Sequence, residues 1–179
     1  MSEQTLLTIK QIEEIPQELL PMLVLSDGLR GFFSWAIKVH EKGAYNHLMW
    51  LYKPGLLASQ NILYQSQPIS DYAQGYRLKL WYCKAWTKEQ QQSIIKAIED
   101  KLAKPWYRRI YDVPAIIGQA VELPWIQTPG IDICSDSGEY LEVGGDNNYK
   151  LFHPDPEQVN RFMNKYQERY EVYGRYLPD

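Results

Sequence analysis

The stretch Gly130-Ile131-Asp132-Ile133-Cys134-Ser135-Asp136-Ser137-Gly138-Glu139-Tyr140-Leu141 sets a thiol where a helix would begin. Pro124, Pro129 and Gly130 turn the chain ahead of it, Asp132 is a good N-cap, and Gly144-Gly145 can end the helix. With Asp132 as the cap, Cys134 takes the second helical position. Unpaired backbone N–H groups and the positive end of the helix dipole favour a thiolate there. Asp132 and Asp136 oppose it, so the helix start alone cannot make Cys134 reactive, and a cysteine without an activating partner is a small buried hydrophobe. A histidine decides the matter, and the chain offers His40, His47 and His153.

Upstream of that stretch, Pro114, Gly118, Pro124, Pro129 and Gly130 break residues 104–130 into short turns and loop. Residues 88–103 form the sharpest helix: Thr87 and Gln90 make a capping box, and Ile94, Ile95, Ile98 and Leu102 line one face. Residues 76–82 alternate Tyr76, Leu78, Leu80 and Tyr82 against Arg77, Lys79 and Trp81, the pattern of a half-exposed strand. Two further strands, residues 45–52 and 56–64, are joined by Lys53-Pro54-Gly55, and His47 lies in the first. Residues 31–41 read as a short helix with Phe32, Trp35, Ala36 and Val39 on one face. Nearer the N-terminus, a helix over 8–20 is interrupted by Pro16, and Met22-Leu23-Val24-Leu25 is a strand or a helix turn that periodicity cannot separate. Downstream, Asp155-Pro156 opens a last helix boxed by Gln158, with Val159, Phe162, Met163, Tyr166 and Tyr170 as its packing stripe. Without repeat, low-complexity tract or linker, residues 1–179 read as a single α+β domain.

Composition narrows the function. The 179 residues are 45% hydrophobic and 23% charged, an ordinary globule with room for a core. A net charge of −3 gives no electrostatic reason to expect nucleic acid, and the cluster Lys104-Pro105-Trp106-Tyr107-Arg108-Arg109 reads as solvated surface. Two cysteines, Cys83 and Cys134, are too few for a disulfide framework and fit a reducing compartment. No basic segment followed by an apolar core opens the chain, and no run reaches about 18 apolar residues, so a cytoplasmic protein without stable membrane insertion is expected. No C-x-x-C or H-E-x-x-H spacing points to a metal. His40 suits a helix C-terminus, His153 a loop or cap beside Pro154, and Cys83 a structural role.

Thiol catalysis needs a base, a group that orients the base, and donors for the oxyanion. The order here is histidine-bearing strand, two strands, long helix, then cysteine at a helix start. With Tyr45-Asn46-His47-Leu48-Met49, Gln67-Pro68-Ile69-Ser70-Asp71-Tyr72, Trp86-Thr87-Lys88-Glu89-Gln90, Ile133-Cys134-Ser135-Asp136 and His153-Pro154-Asp155-Pro156, it resembles the circularly permuted papain-like hydrolases of the NlpC/P60 superfamily, in their bacterial and phage branches. The resemblance covers about residues 22–165. It departs from the family's Gly-Asp pair at the first strand, where this chain has Leu25-Ser26-Asp27-Gly28.

The resemblance implies an antiparallel sheet packed against helices with the nucleophile at a helix N-terminus. Cys134 would be the nucleophile and His47 the general base, with no cofactor. The oxyanion would take the backbone N–H of Cys134 and the side chain of Tyr45. The third polar residue would stand on the strand after the histidine. Gln60 is the first choice, with Ser59 and Gln65 competing, since a one-residue register change exchanges the faces. The expected activity is cleavage of an amide in peptide or cell-wall material, in the virion or host cytoplasm if the chain is phage-encoded. The alternatives are a lipid ester or thioester hydrolase or acyltransferase on the same fold, and a catalytically silent groove-binding module.

Overall fold

The structure, a computed structural model, describes residues 5–28, 44–60, 63–110, 140–145 and 156–178. Its centre is one six-stranded antiparallel sheet: β1 Met22–Gly28, β2 His47–Lys53, β3 Leu56–Gln60, β4 Tyr64–Pro68, β5 Tyr76–Cys83 and β6 Tyr170–Tyr176, in the order β4-β3-β2-β1-β5-β6. Among the described residues four α-helices accompany it: α1 Ile9–Glu13, α2 Lys88–Leu102, α3 Tyr140–Val143 and α4 Pro156–Lys165. The class is therefore α+β.

Both faces of the sheet are covered, and strand alternation divides the core in two. Leu23, Leu25, Leu48, Trp50, Ala58, Trp81 and Cys83 pack on one face with Ile94 and Ile98 of α2, Leu141 of α3, and Val159 and Met163 of α4. Met22, Val24, Met49, Leu51, Leu57, Leu78 and Leu80 pack on the other with Ile12, Ile15, Leu20, Ile69 and Tyr72. The first is the α2 face of the sheet and the second the α1 face. Burying Ile94 and Ile98 contributes about 2 kcal/mol each, which fixes how α2 lies on the sheet.

The local signals account for the helices. Thr8 and Thr87 cap α1 and α2 through reciprocal boxes with Gln11 and Gln90. Gly145, at φ 79, ends α3, and its N–H donates to Glu142 O at 2.8 Å. Gly144 is required by close approach, because a Cβ there would stand 2.6 Å from Trp86 Nε1 and 2.8 Å from Ile94 Cδ1.

The structure decides one open alternative and corrects several expectations. The apolar run at Met22 is the start of β1, which pairs on both sides and lies inside the sheet. The expected strand over 56–64 is two elements, β3 ending at Gln60 and β4 starting at Tyr64. The last helix ends at Lys165, and Tyr170 opens a strand rather than continuing the helical stripe. Strand β5 is covered on both faces: Lys79 is 4% exposed and Trp81 2%. The helix over 31–41 and the helix start at Asp132 lie outside the described residues. Among the described residues, no helix is long and apolar enough to cross a membrane.

Both edges of the sheet are met by other chain segments. Leu7 N donates to Arg175 O at 2.7 Å and Arg175 N to Thr5 O at 2.9 Å, which lays the N-terminal segment along β6. At the other edge Tyr64 N donates to Arg109 O at 2.6 Å, and Leu63 bridges to Ile110.

Candidate active site

His47 is the first residue of β2 and sits opposite Ser26 of β1. The register Ser26↔His47, Val24↔Met49, Met22↔Leu51 runs without interruption, so His47 shares a face with Met49 and Leu51, the α1 face. The residues ahead of it are tied to β1. Asn46 N donates to Ser26 O at 3.1 Å, and the Asn46 side chain accepts from Gly28 N at 3.1 Å. Asn46 thus uses its carboxamide where strand pairing gives out, which holds the chain at the point where the imidazole leaves it.

The His47 imidazole has a buried Nε2 with no hydrogen-bond partner among the described residues. Burial lowers its pKa to about 4, because an imidazolium there would lose its hydration. At neutral pH the ring is neutral, with a nitrogen able to take up a proton.

Of the three residues weighed as its orienting partner, Gln60 lies by register on the face opposite His47. Pairs Trp50↔Ala58 and Met49↔Ser59 put Ser59 on the face of His47 and Gln60 on the opposite face. Gln60 instead donates through Nε2 to Arg109 O at 2.9 Å, fastening the chain beyond α2 to the sheet. Ser59 and Gln65 are opposite one another and both belong to the α1 face. There Gln65 Nε2 donates to Gln67 Oε1 at 3.1 Å, and Gln67 Nε2 donates to Ser59 Oγ at 3.0 Å and to the Tyr72 hydroxyl. Ser59 stands opposite Met49, two residues along β2 from His47 and diagonal to it.

Tyr45 goes to the other face. Its ring packs against the α2-face core, and Lys79 Nζ lies 5.9 Å from the ring centroid. Burial above all raises its hydroxyl pKa, with Arg175 opposing, so Tyr45 keeps its proton and remains a hydrogen-bond donor. The described residues do not bring Tyr45 and His47 to a common face. Cys134 lies outside the described residues, as do His40 and His153. Tyr140, the first described residue after Cys134, meets Trp50 edge-on on the α2 face, with ring centroids 6.0 Å apart. Six residues of chain can reach about 20 Å, twice the spacing of packed layers, so the position of Tyr140 does not assign Cys134 to a face.

One polar cluster escaped the sequence reading. Lys79 of β5 donates through Nζ to Asn160 Oδ1 of α4 at 2.8 Å, and its ammonium lies 4.2 Å from the centroid of Trp81. Burial lowers the Lys79 pKa to about 8; Arg175 also lowers it and Glu157 opposes. The signal was present in α4, where Asn160 falls at i+4 from Pro156 and i+1 from Val159, a carboxamide on the apolar face. In β5 the alternation hid it, since Lys79 occupied what read as the wet side. Among the described residues, no group of three His, Cys, Asp or Glu could hold a metal ion.

Compared with protein-family models and with curated protein sequences, the chain matches none.

Proposed function

We propose that the chain is a thiol-dependent hydrolase of the permuted papain-like, NlpC/P60 type, cleaving an amide in a peptide or cell-wall substrate. Cys134 is the nucleophile and His47 the base. In the first step His47 accepts the thiol proton, the Cys134 sulfur bonds to the carbonyl carbon, and the C–N bond breaks. The departing amine takes the proton from the imidazolium. Water then attacks the thioester, giving its proton through His47, and the acid leaves as the thiol is restored. The backbone N–H of Cys134 is the oxyanion donor of this scheme.

The observation that carries this reading is the buried Nε2 of a neutral His47, without a partner among the described residues, at the start of a strand whose preceding residues are clamped to β1. A core histidine ordinarily has both nitrogens satisfied, because an orphaned buried acceptor is costly. A base awaiting its thiol has one nitrogen without a partner. The low pKa also fits: a neutral ring takes the proton only as a thiolate forms beside it, and the new charge pair offsets the lost hydration. Ser59 replaces Gln60 as the orienting residue, with Gln65 behind it through Gln67. The six-stranded antiparallel sheet with helices agrees with the coarse architecture this type of enzyme requires.

One observation favours a second reading, a catalytically silent groove-binding module on the same fold. Tyr45, expected from the sequence as a side-chain oxyanion donor, packs on the α2 face, whereas His47 belongs to the α1 face. A single experiment separates the two. Iodoacetamide at neutral pH should modify Cys134 far faster than Cys83, which is 1% exposed, and His47→Ala should slow modification of Cys134. Labelling of Cys134 that is indifferent to His47→Ala would leave the binding module as the better account.

A further inference from the structure

Lys79 is a buried lysine whose one hydrogen bond among the described residues goes to a neutral acceptor, Asn160 Oδ1 at 2.8 Å. The same carboxamide donates through Nδ2 to Glu157 Oε1 at 3.1 Å. Glu157 in turn accepts the backbone N–H of Ala44 on Oε2 at 3.1 Å. Asn160 therefore bridges a cation and an anion with its dipole aligned, oxygen to the ammonium and N–H to the carboxylate, an arrangement in which each bond strengthens the next. Reversing the amide would set a donor against the ammonium and an acceptor against the carboxylate.

Beyond the bridge, Arg175 acts on Lys79, and Tyr45, whose ring centroid lies 5.9 Å from the Lys79 ammonium, is in turn influenced by Arg175, Glu157, Arg77 and Asp27. Arg175 lies opposite Lys79 on β6, and Asp27 is paired with Arg77. Arg161 Nε stands 3.8 Å from Glu157 Oε1 on the outer side, 67% exposed, and holds Glu157 less firmly than the buried amide does.

The far end of the chain of bonds is Ala44, three residues ahead of His47. Residues 44–46 precede the strand, and backbone pairing with β1 reaches back to Asn46 N, which donates to Ser26 O. Asn46 fastens them to Gly28, and Glu157 fastens them to α4. We propose that Asn160 is a positioning residue for His47: by joining the Lys79 ammonium to the Glu157 carboxylate, it holds Glu157 against the Ala44 N–H and so sets the chain that delivers the imidazole. The inference takes His47 as the base and so rests on the reading above.

The test uses the full chain and two NMR readouts, hydrogen exchange of the Ala44 amide and the titration of the His47 ring. In Asn160→Ala, Ala44 should exchange on the order of tenfold faster. The His47 pKa should rise from about 4 toward the ordinary 6.5 as its surroundings loosen. Glu157→Ala should reproduce both changes, and it decides the matter if Asn160→Ala does not fold. Asn164→Ala, whose amide among the described residues donates to the Asn160 backbone carbonyl at 2.8 Å, should leave both readouts near the parent. Unchanged Ala44 exchange or unchanged His47 titration in Asn160→Ala and Glu157→Ala would overturn the proposal. So would equal changes in Asn164→Ala, which would mark a general loosening of α4. Neither readout involves Cys134, so a failed labelling experiment ends the catalytic reading without altering these two results.

Discussion

At the scale of single residues, burial controls the chemistry of His47 and register controls its neighbours. The folded chain holds the ring at a pKa of about 4, below its ordinary 6.5. As pH falls, the unfolded chain binds the proton first, so the full stability is present above about 6.5 and drains away toward 4. The loss reaches about 2 kcal/mol by pH 5 and about 3 kcal/mol at its end. Denaturant midpoints measured between pH 7 and 5 should show this slope, and His47→Gln should flatten it. A parent-like slope in His47→Gln would place the acid sensitivity elsewhere. The orienting role gives a second residue-level prediction. Gln60→Ala should cost about 1–2 kcal/mol through the lost bond to Arg109 O, yet leave the rate of Cys134 labelling as it was. Ser59→Ala should slow that labelling. Slowing by Gln60→Ala alone would return the role to Gln60 against the register.

At the scale of elements, close approach decides what the chain tolerates. Gly174 of β6 lies where the N-terminal segment crosses, and a Cβ there would overlap the Leu7 side chain and stand 3.2 Å from Thr5 O. Gly174→Ala should destabilise the protein by about 1–3 kcal/mol in a denaturant titration. Relief by Leu7→Ala in the double variant would identify the overlap as the cause, and an unchanged midpoint in the single variant would deny it. Helix α2 was legible to its cap, because the Thr87–Gln90 box and the isoleucine stripe are local signals. The end of α4 was not. Tyr166 and Tyr170 continue the stripe at helical spacing, but the turn after Lys165 frees Tyr170 to start a strand against Cys83 of β5. A partner distant in sequence outweighed a good local pattern.

At the scale of the whole molecule, the sheet ends in two edges, and each is met by a segment remote in sequence. The N-terminal strip Thr5–Leu7 bonds to β6 at Arg175, and Arg109–Ile110 meets the start of β4 at Leu63 and Tyr64. Deleting residues 1–7 should uncover backbone donors and acceptors of β6, lower the melting temperature by several degrees, about 2–8 °C, and promote association between copies. Melting curves with light scattering at rising concentration read both effects. A truncated protein with the parent's melting temperature that stays monomeric would show that the strip contributes little.

The sequence by itself determined what depends on neighbours a few residues away. It carried the α+β class, the capped helix α2, the glycine stop of α3, and a histidine on a strand behind an aromatic-polar pair. Those are short-range preferences of backbone and side chain, written in spacing. Only the tertiary structure decided which face each strand residue occupies. A strand has period two, so the allocation of Ser59 and Gln60 depends on how β3 registers against β2, and the irregularity between Leu51 and Lys53 enters that register at the hairpin. Only the tertiary structure, likewise, put Lys79 indoors. Alternation marks a polar residue as outward when one face is wet, and α4, arriving from the far end of the chain with Asn160, made that face dry.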